Sequence, residues 1–288
     1  ALKDFKIIVT RPREQLTPML TSIRENLLAN GLDYEVLGLP LLEILPLENP
    51  DLAVNLHQKL LATQWLNFVS PNAFLMADQL LKSKGLNWPL HLKILIVGGG
   101  TEKILLQSVL KNCVMIKPLR QSEWDSEGLW QAMLSHQTNW SNQSVLIVKG
   151  DTGRDWLENT LHNANAKVET ISIYERQNLS IKDPYWQELL GSWSKFSKEL
   201  ISNNSLHGAS KLERWIWVMS SSLACNYLES SLIKLQLKDQ LLDQSIALAT
   251  HENIAKTAQG IGFSKVKMIL PGQQSIEMNI KDWITKQV

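Results

Sequence analysis

The stretch Trp65-Leu66-Asn67-Phe68-Val69-Ser70 returns 150 positions later as Trp215-Ile216-Trp217-Val218-Met219-Ser220. Each copy leads through a helix-like run into a second apolar run, Ile94-Leu95-Ile96-Val97 in one case and Ile246-Ala247-Leu248-Ala249 in the other, now 152 positions apart. A third pair, Val114-Met115-Ile116 and Val266-Lys267-Met268, keeps that offset of 152. Self-similarity at a near-constant spacing marks an internal repeat and fixes the architecture before any motif is read. Two similar halves that face one another make a cleft, and clefts between domains are where small ligands usually bind.

Outward from these runs, short β-branched segments alternate with longer amphipathic ones, the pattern of parallel strands joined by helices. Lys6-Ile7-Ile8-Val9-Thr10 reads as the first strand. From Gln15 to Leu28, the residues Leu16, Met19, Leu20, Ile23, Leu27 and Leu28 fall at helical spacing, and Asn30-Gly31 ends the run. Its counterpart is Ser144-Val145-Leu146-Ile147-Val148-Lys149-Gly150, followed by a helix through Trp156, Leu157 and Leu161. Both units enter extended segments, Tyr34 to Ile44 and Lys167 to Arg176, which are expected to be crossings between domains.

That equivalence predicts a discontinuous domain one at 1–37 and 173–288, a domain two at 41–170, and crossing strands at 36–42 and 168–176. The strands of domain one are expected near 6–10, 172–176, 215–220, 245–250 and 265–270. Those of domain two are expected near 41–45, 66–70, 94–98, 113–117 and 145–149. The polar stretch from Ser202 to Gly208 reads as a surface loop.

Composition narrows the function. A chain of 288 residues sits at the size where single cores split. Lys and Arg number 29 against 28 Asp and Glu, a net charge of +1, so there is no broad field for nucleic acid or an anionic membrane. Any anion site has to be local. Cys113 and Cys225, in apolar settings, are too few for a disulfide framework and fit a reducing compartment. The six His residues show no metal-ligand spacing. Charges at the N-terminus occupy the place of a secretion signal's apolar core, and no run reaches the roughly 18 apolar residues of a membrane span. The expectation is a cytoplasmic, soluble monomer with no nucleic-acid or membrane partner. Of the eleven Trp residues, most read as core rather than as a base-stacking platform.

In a parallel sheet, ligands gather beyond the carboxyl ends of the strands, where helices begin with unpaired N–H groups. Six such turns are legible: Thr10-Arg11-Pro12-Arg13, Ser70-Pro71-Asn72-Ala73, Gly98-Gly99-Gly100-Thr101, Gly150-Asp151-Thr152-Gly153-Arg154, Ser220-Ser221-Ser222 and Thr250-His251-Glu252-Asn253. Singly, each can be an ordinary helix cap. Converging on one cleft, they would make an anion cradle. A dinucleotide reading of the glycine run fails, because Lys103 occupies the third glycine position and the next strand ends in Lys117-Pro118 instead of an acid. A two-domain protein that closes on an anion without chemistry remains the competing class. Tyr174, in Ile173-Tyr174-Glu175-Arg176, could either present its hydroxyl to the cleft or pack as a hydrogen-bonded interface residue.

Ordered motifs then add a resemblance. Val9-Thr10-Arg11-Pro12, Phe68-Val69-Ser70-Pro71-Asn72-Ala73, Val97-Gly98 with Thr101, Ser126-Glu127-Gly128-Leu129, Lys149-Gly150 with Gly153-Arg154, Tyr174-Glu175-Arg176, and Ala249-Thr250-His251 with Ile254-Ala255 and Gly262-Phe263 follow one another along nearly the whole chain. In this order and spacing the chain resembles the uroporphyrinogen-III synthase family. The resemblance implies two similar parallel-sheet α/β domains, flavodoxin-like and related by internal repeat, joined by a two-stranded β-ladder. It implies a substrate, hydroxymethylbilane, a linear tetrapyrrole with eight carboxylates. It implies cyclisation to uroporphyrinogen III with inversion of ring D through a spiro intermediate and loss of water, in haem and porphyrin biosynthesis, without cofactor or metal. The upstream bilane-forming enzyme is a possible partner. By matching position, Tyr174 is the expected general acid. Thr10, Arg11, Ser70, Asn72, Gly98, Thr101, Gly150, Arg154, Ser220, Thr250 and Asn253 are the expected substrate contacts. Three residues depart from the family pattern: Ser221 stands where proline is frequent, Glu102 where a small residue is usual, and Asn253 where a hydroxyl or cationic residue is often seen.

Overall fold

A computed structural model describes residues 4–120, 123–202 and 213–287. The loop expected at 203–208 lies outside the described residues; Ser202 itself closes a helix. The chain divides into two compact units, one formed by Ala1–Glu43 and Gln177–Val288, the other by Ile44–Arg176.

In the first unit, β1 (Lys6–Val9), β2 (Glu35–Gly38), β9 (Trp215–Met219), β10 (Ser245–Ala249) and β11 (Lys265–Met268) form a sheet of order β11-β10-β9-β1-β2. Every neighbouring pair is parallel. The central strands are apolar at nearly every position because both faces are covered, as parallel sheets require. Side chains sort by the period of two. Ile7, Val9, Ile216, Val218, Ile246 and Leu248 pack under α1 (Arg13–Ala29) and α11 (Gln273–Gln287). Ile8, Trp215, Trp217, Met219, Ala247 and Ala249 pack against α7 (Pro184–Ser202), α8 (Ser222–Lys234) and α10 (Glu252–Ile261). The small Ala247 and Ala249 leave room on this face for the indoles of Trp215 and Trp217. Each aliphatic side chain so buried stabilises the unit by about 1.5–3 kcal/mol.

In the second unit, β4 (Trp65–Phe68), β5 (Lys93–Ile96), β6 (Met115–Ile116), β7 (Ser144–Gly150) and β8 (Lys167–Asn178) align in parallel, and β3 (Leu42–Pro46) lies outside β8. Leu66, Phe68, Ile94, Ile96, Leu146 and Val148 face α2 (Leu52–Ala62) and α3 (Pro71–Ser83). Trp65, Leu95, Val145 and Ile147 face α5 (Ser126–His136) and α6 (Trp156–Asn163). Of the Trp residues read as core, Trp65, Trp88, Trp193 and Trp215 are buried, whereas Trp124 is 42% exposed.

The two sheets share one topology. Numbered from the repeat's own first strand, β1 or β7, the orders β2-β1-β9-β10-β11 and β8-β7-β4-β5-β6 both read 2-1-3-4-5, the doubly wound flavodoxin-like arrangement. The chain simply enters the second copy at its third strand.

Two strand expectations need correction. Residues 172–176 do not belong to the first unit's sheet; they continue β8 within the six-stranded one. The first unit's edge is instead β2, inside the run read as a crossing. Pro40 has no N–H to give a ladder, and it separates β2 from β3. Among the described residues no helix is long and apolar enough to cross a membrane.

Candidate functional site

Each unit carries three of the six expected turns at the carboxyl ends of its own strands. In the first unit, Thr10 and Ser220 meet where β1 and β9 end. The Thr10 hydroxyl donates to Val218 O at 2.7 Å, the Ser220 hydroxyl donates to Thr10 O at 2.9 Å, and Ser220 N donates back to Thr10 Oγ1 at 3.2 Å. Thr10 is fully buried and locks two strand ends together, while Ser220 is half-buried. Arg11 is half-buried, with Nη1 3.4 Å from Gln15 Oε1 and Nε buried without a hydrogen-bond partner among the described residues. Thr250 is half-buried in the bend after β10. Asn253 is exposed, and its backbone N–H donates to His251 Nδ1 at 3.2 Å, so His251 caps α10.

In the second unit a cavity of about 200 Å³ is lined by Ser70 of one turn and by Thr152, Gly153 and Arg154 of another, while the expected contacts Asn72, Gly98, Thr101 and Gly150 are not part of its wall. Its wall includes Asn67, Ser70, Ser126, Lys149, Arg154 and Arg176. Ser70 caps α3 by accepting from Ala73 N at 3.2 Å, with Pro71 at the first helical position where its missing N–H costs nothing. Asn72 follows, half-buried. Asn67, the polar residue within β4, satisfies its buried amide on Leu95 O at 2.9 Å.

Tyr174 reaches this site from behind. The β7–β8 register runs Lys149 to Ser172 and then Gly150 to Tyr174, so Ile173 is bulged out of the pairing. A bulge re-aims the side chains after it. Ile171, Ile173 and Tyr174 accordingly all enter the same core cluster, and Tyr174 is fully buried. Gly150 is what lets the ring lie there, because a Cβ at that position would stand 2.4 Å from Tyr174 Cε2. The phenol oxygen lies 3.2 Å from Ser70 Oγ and accepts from Arg176 Nη2 at 3.3 Å. Arg176 is itself fixed, with Nη1 donating to Thr152 O at 2.8 Å and to Thr152 Oγ1 at 3.1 Å. Its guanidinium carbon sits 5.2 Å from the Tyr174 ring centre.

Two further cations of this rim, Lys149 and Arg154, are held by acids. Lys149 Nζ pairs with Asp155 at 2.8 Å and Glu158 at 3.3 Å, and its ammonium is held above the ordinary lysine range, chiefly by the hydrogen bond it donates to Asp155. Arg154, exposed, pairs with Glu127 at 2.5 Å, a bond that holds the Glu127 carboxyl below the usual carboxylate range. Glu102, the unwelcome acid beside Thr101, is bonded to Lys117 and so neutralised.

Gly98 caps α4 (Gly99–Leu105) through its backbone, and Thr101 is buried inside that helix's first turn. Within the glycine run, Gly99 is the position with a close neighbour: a Cβ there would meet Trp124 Cη2 at 2.5 Å. Sequence reasoning did not select Lys149 and Arg176, which line the cavity, or Trp124, which packs on Gly99, and it did not say which residue of the Ser220–Ser222 and Thr250–Asn253 turns makes the cap, here Ser221 and His251. The Ser221 hydroxyl, accepting from Ala224 N at 3.0 Å, is the cap equivalent to Ser70. Because β9 is one residue longer than β4, the repeat slips by one at this turn.

Among solved structures, the chain is similar to a mutant uroporphyrinogen III synthase from the extremely thermophilic bacterium Thermus thermophilus. The identity is 12%, the match covers 98% of this chain and 99% of that one, and the TM-score is 0.53. It is also similar to uroporphyrinogen-III synthetase from Helicobacter pylori 26695, at 14% identity over 96% and 99% of the two chains, with a TM-score of 0.47. No curated protein matches the chain. The family model described as uroporphyrinogen-III synthase HemD matches residues 22–268, most of the sequence. The chain therefore belongs to the uroporphyrinogen-III synthase family, cyclising lyases that make uroporphyrinogen III in tetrapyrrole biosynthesis.

Proposed function

We propose that this chain converts hydroxymethylbilane to uroporphyrinogen III without a cofactor, with Tyr174 as the source of the proton that turns the departing hydroxyl into water. The observation that carries this reading is the Tyr174–Ser70–Arg176 group at the second unit's cavity: a buried phenol whose oxygen touches a capping hydroxyl and a guanidinium that both line the wall. A placed general acid contributes about 10²–10⁴-fold.

The free bilane can close without help to the unrearranged isomer, so the enzyme's task is to hold the conformer that favours spiro attack by ring D. Carboxylates of the substrate would be taken by helix N-termini and by the rim residues: Ser70, Asn72, Gly98, Thr101, Gly150 and Arg154 in the second unit, Thr10, Arg11, Ser220, Thr250 and Asn253 in the first. For the buried Thr10 and Thr101 the contribution is to shape the turn. Charge-assisted hydrogen bonds contribute about 1.5–3 kcal/mol each, enough in number to bind an octa-anion on a protein of net charge +1.

Incubation with freshly generated hydroxymethylbilane, followed by separation of the product isomers, tests the activity. The type III isomer should predominate, and formation of the unrearranged isomer alone would overturn the reading. A Tyr174→Phe variant should turn over at least about tenfold more slowly with an unchanged fold.

A further inference from the structure

We infer that Ser70 is the group that hands the proton to the substrate, as the middle member of a relay that begins at Tyr174 and is charge-balanced by Arg176. This inference rests on the reading of Tyr174 as the acid. Tyr174 is fully buried and does not line the cavity; Ser70 and Arg176 do. A guanidinium has donors and no acceptor. It can hold the phenol oxygen but cannot carry a proton away from it. The one route from the phenol to the cavity among the described residues is the 3.2 Å contact with Ser70 Oγ.

The hydroxyl of Ser70 has the valences for this. It holds one proton and two lone pairs. One lone pair accepts from Ala73 N at 3.2 Å, the other accepts from Tyr174, and its own proton is left for the cavity. As the carbon–oxygen bond of the bilane breaks, its electron pair leaves with the oxygen. Ser70 gives its proton to that oxygen, and water departs. Tyr174 passes its proton to Ser70, and the phenolate so formed lies against the Arg176 fork at 3.3 Å, whose orientation is set by Thr152. The proton later lost when the closed macrocycle regains its pyrrole rings returns along the same path. No proton is gained or lost over the cycle beyond the water released.

The test is single-turnover kinetics on hydroxymethylbilane for wild type, Ser70→Ala, Ser70→Asn, Ser70→Thr, Tyr174→Phe and the Ser70→Ala/Tyr174→Phe double variant, in mixtures of light and heavy water. Asn keeps a cap acceptor for α3 and lacks the hydroxyl, which separates folding from proton transfer. Loss of Ser70's hydroxyl, as Ala or Asn, should slow the step at least about tenfold, and Thr should restore most of the rate. The double variant should be no more than about twofold slower than the slower single one, because members of one unit are not additive. Rate against deuterium fraction should bow in wild type, since two protons move, and straighten in Ser70→Asn.

If Ser70→Ala and Ser70→Asn only raise the substrate requirement, if the losses multiply, or if the wild-type plot is straight, the relay is wrong and Tyr174 alone is left as the acid. Full activity in Tyr174→Phe would instead remove the reading on which the relay stands.

Discussion

Replacing Gly150 by Ala separates two reasons for a glycine at the end of β7. As part of an anion cradle, Gly150 would be there so that backbone can approach a ligand, and a methyl group would cost affinity alone. The packing gives a different reason. The added Cβ would lie 2.4, 2.8 and 3.0 Å from Cε2, Cζ and Cδ2 of Tyr174. Carbon atoms come to rest at roughly 3.5–4.0 Å, so the ring has to withdraw by about 1 Å. The ring is fully buried in the core cluster that also holds Phe68, Val148 and Ile173. Overpacking of this kind costs about 1–3 kcal/mol. A withdrawal of about 1 Å also carries the phenol oxygen beyond hydrogen-bond range of its partners, now at 3.2 and 3.3 Å, adding about 0.5–1.5 kcal/mol for each bond lost. The second unit should therefore lose about 2–6 kcal/mol, read as a lower urea midpoint at unchanged slope, and turnover should fall as far as in Tyr174→Phe. A Gly150→Ala protein within about 0.5 kcal/mol of wild type, with normal turnover and only a raised substrate requirement, would refute the reasoning and return Gly150 to the cradle.

Arg154→Ala should raise the substrate requirement more than it lowers the maximal rate, since an exposed rim cation that binds a carboxylate acts before the chemistry; an unchanged requirement would exclude that contact. Stability should respond to pH through Glu35 in the first unit. Burial pushes its carboxyl up, but the hydrogen bonds from Lys6 and Ser192 outweigh that and hold it below the usual range. A depressed carboxyl contributes stability that is complete above the unfolded-state value, about pH 4.3, and disappears as the pH falls through the folded-state value. Urea midpoints of wild type and Glu35→Gln should therefore differ at about pH 7 and converge toward about pH 3. Thiol titration should distinguish the cysteines: Cys225 is fully buried and burial pushes its thiol up to about 12, so the native protein should expose Cys113 alone and the second thiol should react only after denaturation.

Most of the fold was legible because the central strands of both sheets run parallel and are buried on both faces, which writes them as continuous apolar runs. The helix faces were legible for the matching reason, as Leu16, Met19, Leu20, Ile23 and Leu27 fall on the buried side of α1. Sheet membership at the crossings was not legible. From Val36 to Leu42 the sequence is nearly uniform in polarity, and hydrophobic period cannot say which neighbour an extended segment pairs with. Leu39 N donates to Val9 O and Leu41 O accepts from Leu179 N, so the change of partner falls at Pro40. Nor could spacing find the bulge at Ile173. Strict alternation along β8 would put Tyr174 on the face opposite Ile171 and Ile173, whereas the skipped register turns all three into one core.

The hydroxyls at the strand ends show why site residues are harder to read than strands. A Ser before a helix is sufficiently explained by the cap it makes, and Ser70 and Ser221 both make it, with nearly the same geometry. What distinguishes them is a third group, and that group comes from elsewhere in the chain. Ser70 has Tyr174 at its oxygen, delivered across 104 residues by a bulge and a glycine. On the first unit's rim the neighbouring Ser220 is instead tied to Thr10, strand end to strand end. The repeat thus duplicated the frame and its caps, while the proposed proton chemistry belongs to one copy only, where a buried phenol found a capping hydroxyl with a lone pair to spare. An internal repeat is for this reason a guide to the fold of such a chain and a poor guide to its chemistry, which depends on the positions at which the two copies differ.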